Sequence, residues 1–406
     1  MIDSPEGENH GTSVDSPGSG RLTRDALLKR GLGIALLSGG ALGLSGRSAG
    51  SAMAALDRLG RAEAGTVNFF SWEGYDLLTE PAMKKWRAKN QVTIHSTYVS
   101  DHNQITAKFV SGGGKGVYNM STYDAGYGPS YHSLGILSPI DLTKIPNFNT
   151  IYPVFRSGAV ASTWWNFSGQ QWGIPFTWGL QGLNYDASAI GPPASYRDLL
   201  KAKYKGKIGI MDDVIASVVI GAHIVGVFRQ TSLYTPTELK KIIAFWSALK
   251  KNARSIISSF GDMSDQFVAG DIVAAIPGWS AVGSFAAAKG KDTIKHTVPK
   301  EGAQTFLDAF FVPAGAKNTD AVYAYINEAL TPEVQAQAAD TLSQGIVNPK
   351  AVGLMKPTTR AISPYGSINH IFTKAAPLPA IPVVGVPKGY TSVSDWVKAW
   401  EAFKAS

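Results

Sequence analysis

Strand-like and helix-like segments alternate along most of the chain, and this alternation constrains the fold more than any other feature. Thr66–Ser71 is a short apolar run typical of a strand, residues 91–99 alternate between apolar and polar side chains, and residues 103–110 have a helical pattern. Units of strand, loop and helix at this spacing predict a parallel α/β sheet, in which ligands bind beyond the carboxyl ends of the strands. The side chains at or just beyond the predicted strand ends are Trp72, Tyr75, Ser121 and Tyr123.

The composition is that of a soluble protein with two domains. Its 406 residues exceed what one hydrophobic core usually serves, and 44% hydrophobic with 17% charged residues is ordinary for a globular protein. The chain has no cysteine, which excludes disulfides, thiolate catalysis and cysteine-ligated zinc. The formal net charge is +8, but the Lys and Arg residues are scattered, so we expect no nucleic-acid partner.

The first 64 residues have the layout of a disordered lead followed by an export signal. Residues 1–20 are rich in Ser, Gly and Asp, residues 23–30 are charged, and residues 31–44 form an apolar run too short to span a membrane. Small-residue cleavage sites follow near Ala54 and Ala64. The segment resembles a twin-arginine signal with Asp25 in place of the second arginine. We expect a periplasmic or extracytoplasmic protein; a retained anchor or a surface helix is the alternative.

An aspartate lies inside an otherwise apolar, strand-like stretch at residues 306–311. The stretch reads Phe-Leu-Asp-Ala-Phe-Phe, and Asp308 is its single charged residue. A lone buried carboxylate is costly. Asp308 therefore needs a buried partner, which is either a set of backbone amides or a cationic ligand.

Several segments, taken in order from Thr66 onward, resemble the periplasmic substrate-binding proteins of polyamine (spermidine/putrescine) ABC transporters, the extracellular solute-binding proteins of family 1. The resemblance covers nearly all of the chain beyond that residue. Its most distinctive pieces are Asn-Phe-Phe-Ser-Trp-Glu-Gly-Tyr at residues 68–75, Ile-Leu-Ser-Pro-Ile-Asp-Leu at 136–142, Trp-Gly-Ile-Pro-Phe-Thr-Trp-Gly at 172–179, Gly-Trp-Ser at 278–280, and the stretch 299–318.

The resemblance implies a two-lobed α/β fold of the type II periplasmic-binding-protein class, in which each lobe is a mixed sheet flanked by helices. Such proteins close on a small ligand by motion about a hinge. We expect lobe 1 to hold residues 66–178 and 282–314, and lobe 2 to hold residues 183–275 and 320–406. The hinge crossings are expected near residues 179–183 and 276–280, where glycines tolerate changes of the backbone.

The resemblance also implies a ligand site of aromatic and acidic side chains, since ammonium groups bind to carboxylates and to aromatic faces. The chain departs from the family pattern at three places where family members usually have an acid: it has Gly74 beside Glu73, it has Ala216 near the position of a second-lobe acid, and it has no acid at residues 280–283. Two or three carboxylates are therefore expected. The implied site residues are Trp72, Glu73, Tyr75, Ser121, Tyr123, Asp213, Trp279, Phe306 and Asp308.

Other roles are open for several of these residues. Trp72 and Tyr75 could be core aromatics, Asp213 could cap a helix, and Tyr123 could belong to a packed helix face with the tyrosines at 127 and 131. The function implied is delivery of a small amine, such as putrescine or spermidine, to an ABC permease by a monomer without metal or cofactor. An amino-phosphonate, an amino-acid-like zwitterion or an anion is the alternative ligand, and an enzyme is a remote one.

Overall fold

The computed structural model describes residues 65–99 and 102–406, and its architecture is a mixed sheet flanked by helices, as predicted. The predicted lead and export signal at residues 1–64 lie outside the described residues. Among the helices described, none combines the length and the apolar character that crossing a bilayer requires.

Ten strands of the described chain form one mixed sheet, and two form a short hairpin. The strands are β1 (Thr66–Ser71), β2 (Thr93–Tyr98), β3 (Met120–Asp124), β4 (Asn166–Phe167), β5 (Gln170–Gln171), β6 (Ile174–Asp186), β7 (Ile208–Met211), β8 (Ala253–Ile257), β9 (Ala274–Trp279), β10 (Ile294–Thr297), β11 (Gln304–Phe311) and β12 (Gly345–Ile346). The order across the sheet is β2-β1-β3-β11-β6-β9-β7-β8, and β10 and β12 also pair with β6. Strands β1, β2 and β3 run parallel at one end, and β7, β8 and β9 run parallel at the other.

Helices follow the strands, as the alternating pattern predicts. They are α1 (Pro81–Asn90), α2 (His102–Val110), α3 (Gly128–Ser133), α4 (Pro153–Arg156), α5 (Gly158–Trp164), α6 (Val214–Val225), α7 (Pro236–Lys250), α8 (Phe260–Ala269), α9 (Val282–Ala288), α10 (Thr319–Ala329), α11 (Pro332–Leu342), α12 (Pro357–Arg360), α13 (Ile368–His370) and α14 (Val393–Ala405). Two of the longer helices begin with a capping box. Thr235 and Glu238 form a capping box at α7, and Ser392 and Asp395 form one at α14.

The described residues bury two large hydrophobic cores, and each core defines a lobe. The first lobe packs β1 with α10, for example through Phe69 and Ile326. The second lobe packs β7 with α6, α7 and α14, for example through Ile210, Trp246 and Trp400. Strand β6 belongs to both, because all 13 of its residues are buried and its two halves contribute to different cores.

The packing differs from the predicted lobe boundaries in two places. Helix α9 and strand β10 pack in the second lobe, where Val282 and Ile294 lie against Ile257, although residues 282–314 were expected in lobe 1. Residues 319–378 pack largely in the first lobe, although residues 320–406 were expected in lobe 2, and only α14 of that segment packs against β7 and α7. The reason is that an amphipathic pattern shows which face of a helix is buried but not which sheet it covers. The return crossing therefore lies between β10 and β11.

Candidate functional site

Alternate residues of the long strand β6 present a row of side chains to one face of the sheet, and β11 presents a matching row. Thr177, Gly179 and Gln181 lie two residues apart on β6, so they share a face. Their antiparallel partners on β11 are Asp308, Phe306 and Gln304. The paired rows therefore change from a carboxyl group, through an aromatic ring, to side-chain amides.

Asp308 is a buried acid held by a tyrosine. Its side chain is 4% exposed, and Oη of Tyr75 donates a hydrogen bond to Oδ2 at 2.7 Å. A β-bulge follows Asp308 directly, a device that re-aims side chains in a strand. Burial raises the pKa of Asp308 to about 7, although the hydrogen bond from Tyr75 opposes the shift. Gln344 Nε2 donates to Tyr75 Oη at 3.1 Å, which leaves the phenol proton directed at Asp308.

A second carboxyl group lies opposite Asp308, and the sequence analysis did not include it. Asp124 ends β3 and is the direct antiparallel partner of Asp308. It is half-buried, and its Oδ1 accepts a hydrogen bond from the backbone N–H of Gly126 at 2.9 Å. Burial and then the charge of Asp308 raise its pKa well above the ordinary value. The signal that could have identified Asp124 is its position as an acid at the carboxyl end of a parallel strand.

Asp213 brings a third carboxyl group from the second lobe. It caps α6, since its Oδ1 accepts a hydrogen bond from the backbone N–H of Ala216 at 3.0 Å. Its other oxygen accepts from Gln181 Nε2 at 3.4 Å, which places it beside the amide end of the row on β6. Burial raises the pKa of Asp213 despite these hydrogen bonds. Asp213 thus caps a helix and also reaches the site.

These three carboxyl groups lack a cationic partner within the described chain. None of its ion pairs includes Asp124, Asp213 or Asp308. Nor does any group of three or more described His, Asp or Glu side chains have the arrangement of a metal site. Buried carboxylates are costly unless a cation or hydrogen bonds compensate them. An elongated organic cation fits acids that are distributed in this way better than a single ion does.

Trp279 and Phe306 form an aromatic wall in the middle of the row. Their ring centroids lie 6.1 Å apart, and the Trp279 ring also contacts Phe260 at 5.3 Å. Gly179 allows this approach, because a Cβ atom there would overlap the Phe306 ring and would lie 2.9 Å from Nε1 of Trp279. Both wall residues are half-buried.

Trp72 is connected to Asp124 through His102, which contacts both residues. The Trp72 ring lies 5.3 Å from that of His102, which stacks on Tyr127 at 4.6 Å. His102 Nε2 accepts a hydrogen bond from the backbone N–H of Asp124 at 2.8 Å. Because burial lowers the pKa of His102 to about 4, the ring is neutral at physiological pH. Glu73, by contrast, is exposed, and no contact joins it to Asp308.

Ser121 and Tyr123 lie on the other face of β3 from Asp124. The Ser121 hydroxyl donates to the carbonyl of Phe70. Tyr123 is fully buried, and its ring centroid lies 5.8 Å from that of Tyr131. The alternative of a packed helix face is correct about the packing but wrong about the helix, because Tyr123 belongs to strand β3. The structure therefore assembles Tyr75, Asp308, Phe306, Trp279 and Asp213 around the β6 row, with Trp72 beside it. The binding role of every predicted residue stays a prediction.

Comparison with known proteins relates the sequence of this chain to solute-binding proteins. A sequence model of the family described as bacterial extracellular solute-binding protein matches residues 82–361. The spermidine/putrescine-binding periplasmic protein of Escherichia coli K12 is 27% identical over 298 residues, which cover 72% of this chain and 80% of that protein. The putrescine-binding periplasmic protein SpuD of Pseudomonas aeruginosa is 23% identical over 362 residues, which cover 84% and 92%.

The solved structures agree on the fold. The Tp0655 (TpPotD) lipoprotein of Treponema pallidum superimposes with a TM-score of 0.68 at 20% identity, covering 83% of this chain and 99% of that one. This likeness confirms the predicted two-lobed α/β fold of periplasmic binding proteins.

Proposed function

The chain belongs to the bacterial extracellular solute-binding proteins, and from that premise we propose that it captures a small amine outside the cytoplasm and delivers it to a membrane permease. The observation that carries the amine is the set of three carboxyl groups, Asp124, Asp213 and Asp308, which lack a cationic partner in the described chain. Two of them come from the first lobe and one from the second, so a cation between them favours the closed state.

An ammonium group is the chemistry that this site suits. At the acidic end, Asp124 and Asp308 accept charge-assisted hydrogen bonds, which are about twice as strong as neutral ones. In the middle, Trp279 and Phe306 offer aromatic faces to an alkyl chain and to its cationic ends, and such contacts contribute about 0.5–2 kcal/mol. Asp213 lies where a second nitrogen of the ligand would need an acceptor.

The relatives narrow the proposed ligand to a polyamine. Two of them are named for binding spermidine and putrescine or putrescine alone. The three carboxyl groups agree with a ligand that carries two or more amino groups. We further propose that an N-terminal signal exports the chain and that the acceptor is an ABC permease, which the layout of residues 1–64 and the family support.

A panel of ligands tests this function. Thermal unfolding is followed with putrescine, spermidine, butylamine, amino acids and an aminophosphonate, and calorimetry then measures each dissociation constant. A ligand at a hundred times its Kd stabilises the folded state by about 2.7 kcal/mol, which raises the Tm measurably. Stabilisation by putrescine or spermidine alone supports the proposal. Stabilisation by a zwitterion or anion, with none by the diamines, refutes the amine and favours the alternative ligand class.

A further inference from the structure

Two carboxyl groups form the acidic end of the site, and we propose that Asp124 and Asp308 hold one proton between them until the ammonium group of the ligand replaces it. The inference rests on the proposed amine-binding function and adds a property to it. Capture of the ligand releases a proton to the solvent, so that affinity depends on pH. No covalent bond other than the shared O–H is broken.

The first step of the argument is the register of two strands. Asp124 on β3 and Asp308 on β11 are direct antiparallel partners, and in such pairs the Cβ atoms lie about 5 Å apart on the same face. Asp308 is 4% exposed, so little water screens the pair. Two carboxylates that share a site of this kind do not both ionise readily, and one of them retains its proton. Accordingly, burial raises the pKa of each carboxyl group, that of Asp308 to about 7.

The second step is the surroundings of the pair, which supply hydrogen bonds but no positive charge. Tyr75 donates to Asp308, and the backbone N–H of Gly126 donates to Asp124. No described ion pair reaches either acid. A proton is thus the one positive charge available to the pair before the ligand arrives.

The third step is to exclude other groups that titrate near neutral pH. Burial raises the pKa of each of the three tyrosines near the pair, so their phenols stay protonated. His102 stays neutral, since its pKa is lowered to about 4 by burial. The negative charge of Asp213, on the second lobe, also raises the pKa of Asp124, which strengthens the retention of the proton. The groups that contact the pair, or act on it through their charge, are Tyr75, His102, Thr177, Asp213 and Gln344.

The direction of the pH dependence follows from linkage. An ammonium group favours the ionised form of both acids, so the complex binds fewer protons than the free protein does. The affinity for the amine therefore rises with pH while the free pair is protonated, by up to about tenfold per pH unit, and levels off once the free pair has lost its proton.

Calorimetry with putrescine measures the proton directly. Titrations of the full chain at pH 7 in phosphate and in Tris differ in observed heat by the number of protons released multiplied by the difference in buffer ionisation heats. We expect a release of between a few tenths and one proton per putrescine bound. The dissociation constant, measured from pH 5.5 to pH 8.5, is expected to fall and then to become constant.

Matched variants assign the proton to the pair. Asp124→Asn leaves Asp308 without its repelling neighbour but still buried, so the release at pH 7 is expected to fall below that of the parent and the pH dependence to move to lower pH. Asp308→Asn provides the same test if the first variant does not fold. Asp320→Asn is the control, because Asp320 is exposed and its ion-pair partner among the described residues is Lys144, and this variant should release as much as the parent.

The outcomes separate the two proposals. Tight binding of putrescine without proton release, or release that is undiminished in both Asp124→Asn and Asp308→Asn, overturns the shared proton while amine binding stands. If no amine binds to the parent protein, the proposed function fails first. Release that is reduced only in the pair variants supports the inference.

Discussion

Replacement of Asp308 by asparagine is expected to weaken ligand binding while it stabilises the free protein. The asparagine keeps the shape of the side chain, and its carbonyl oxygen can still accept the hydrogen bond from Tyr75, which spans 2.7 Å in the parent. What is lost is the negative charge. A hydrogen bond to a charged group contributes about 1.5–3 kcal/mol, so we expect the Kd for putrescine to rise by about 10–150-fold.

Stability is expected to change in the opposite direction. The folded-state pKa of Asp308 is about 7, against an ordinary value of 3.8, so its contribution to stability is fully present below the ordinary value and is lost as pH rises through 7. A shift of this size corresponds to roughly 4 kcal/mol as an upper bound, because each pKa unit is about 1.4 kcal/mol. At pH 8 the variant, which has no acid to ionise there, should therefore exceed the parent in free energy of unfolding by roughly 1–4 kcal/mol. At pH 4 the difference should nearly vanish.

Urea denaturation of both proteins without ligand at pH 4 and pH 8, together with calorimetry at pH 7.5, measures the two effects. Asp320→Asn serves as the control, since its exposed side chain should change neither quantity beyond about 0.5 kcal/mol. If the variant loses affinity and is also destabilised at pH 8, Asp308 stabilises the fold of the free protein, and the reasoning that its charge serves mainly to bind a cation is wrong. Unchanged affinity would remove Asp308 from the site.

Three further results are expected. Trp279→Leu should raise the Kd for putrescine by about 2–30-fold, measured by calorimetry, because one aromatic face is lost; an unchanged Kd would place the ring outside the site. Gly179→Ala should displace the Phe306 ring and weaken binding to a similar degree, whereas Gly353→Ala, which meets open space, should not; equal effects of the two alanines would contradict the wall geometry. Small-angle scattering should show a smaller radius of gyration with saturating ligand than without it, and an equal radius would argue against closure of the lobes.

The sequence predicted the individual strands and helices better than it predicted which lobe each of them packs in. The alternation of strands and helices, and the helical pattern at residues 103–110 that becomes α2, could be derived from periodicity, because burial of one face imposes it. The lobe to which α10 belongs could not, because its amphipathic face would suit either sheet. The pairing of β10 with β6, which keeps α9 in the second lobe, is likewise a long-range contact without a local signal.

The site shows the same division between local and long-range information. Asp308 could be identified because an acid inside an apolar strand needs a partner. Asp124 and Tyr123 are adjacent, and period-two alternation sends one to the site and the other to the core. Sequence alone does not fix which of the two faces the ligand, since that depends on the register of β3 against β11. Choosing Tyr123 by resemblance therefore missed the acid beside it.

The long strand β6 has a consequence for how this protein loses its structure. It supplies buried residues to both cores, and it pairs along its length with β9, β10, β11 and β12. Unfolding of either core would remove packing and hydrogen-bond partners from β6, and the other core also contains residues of β6. The lobes are therefore expected to unfold in one cooperative transition, and a fragment that ends within β6 should leave neither lobe able to fold independently.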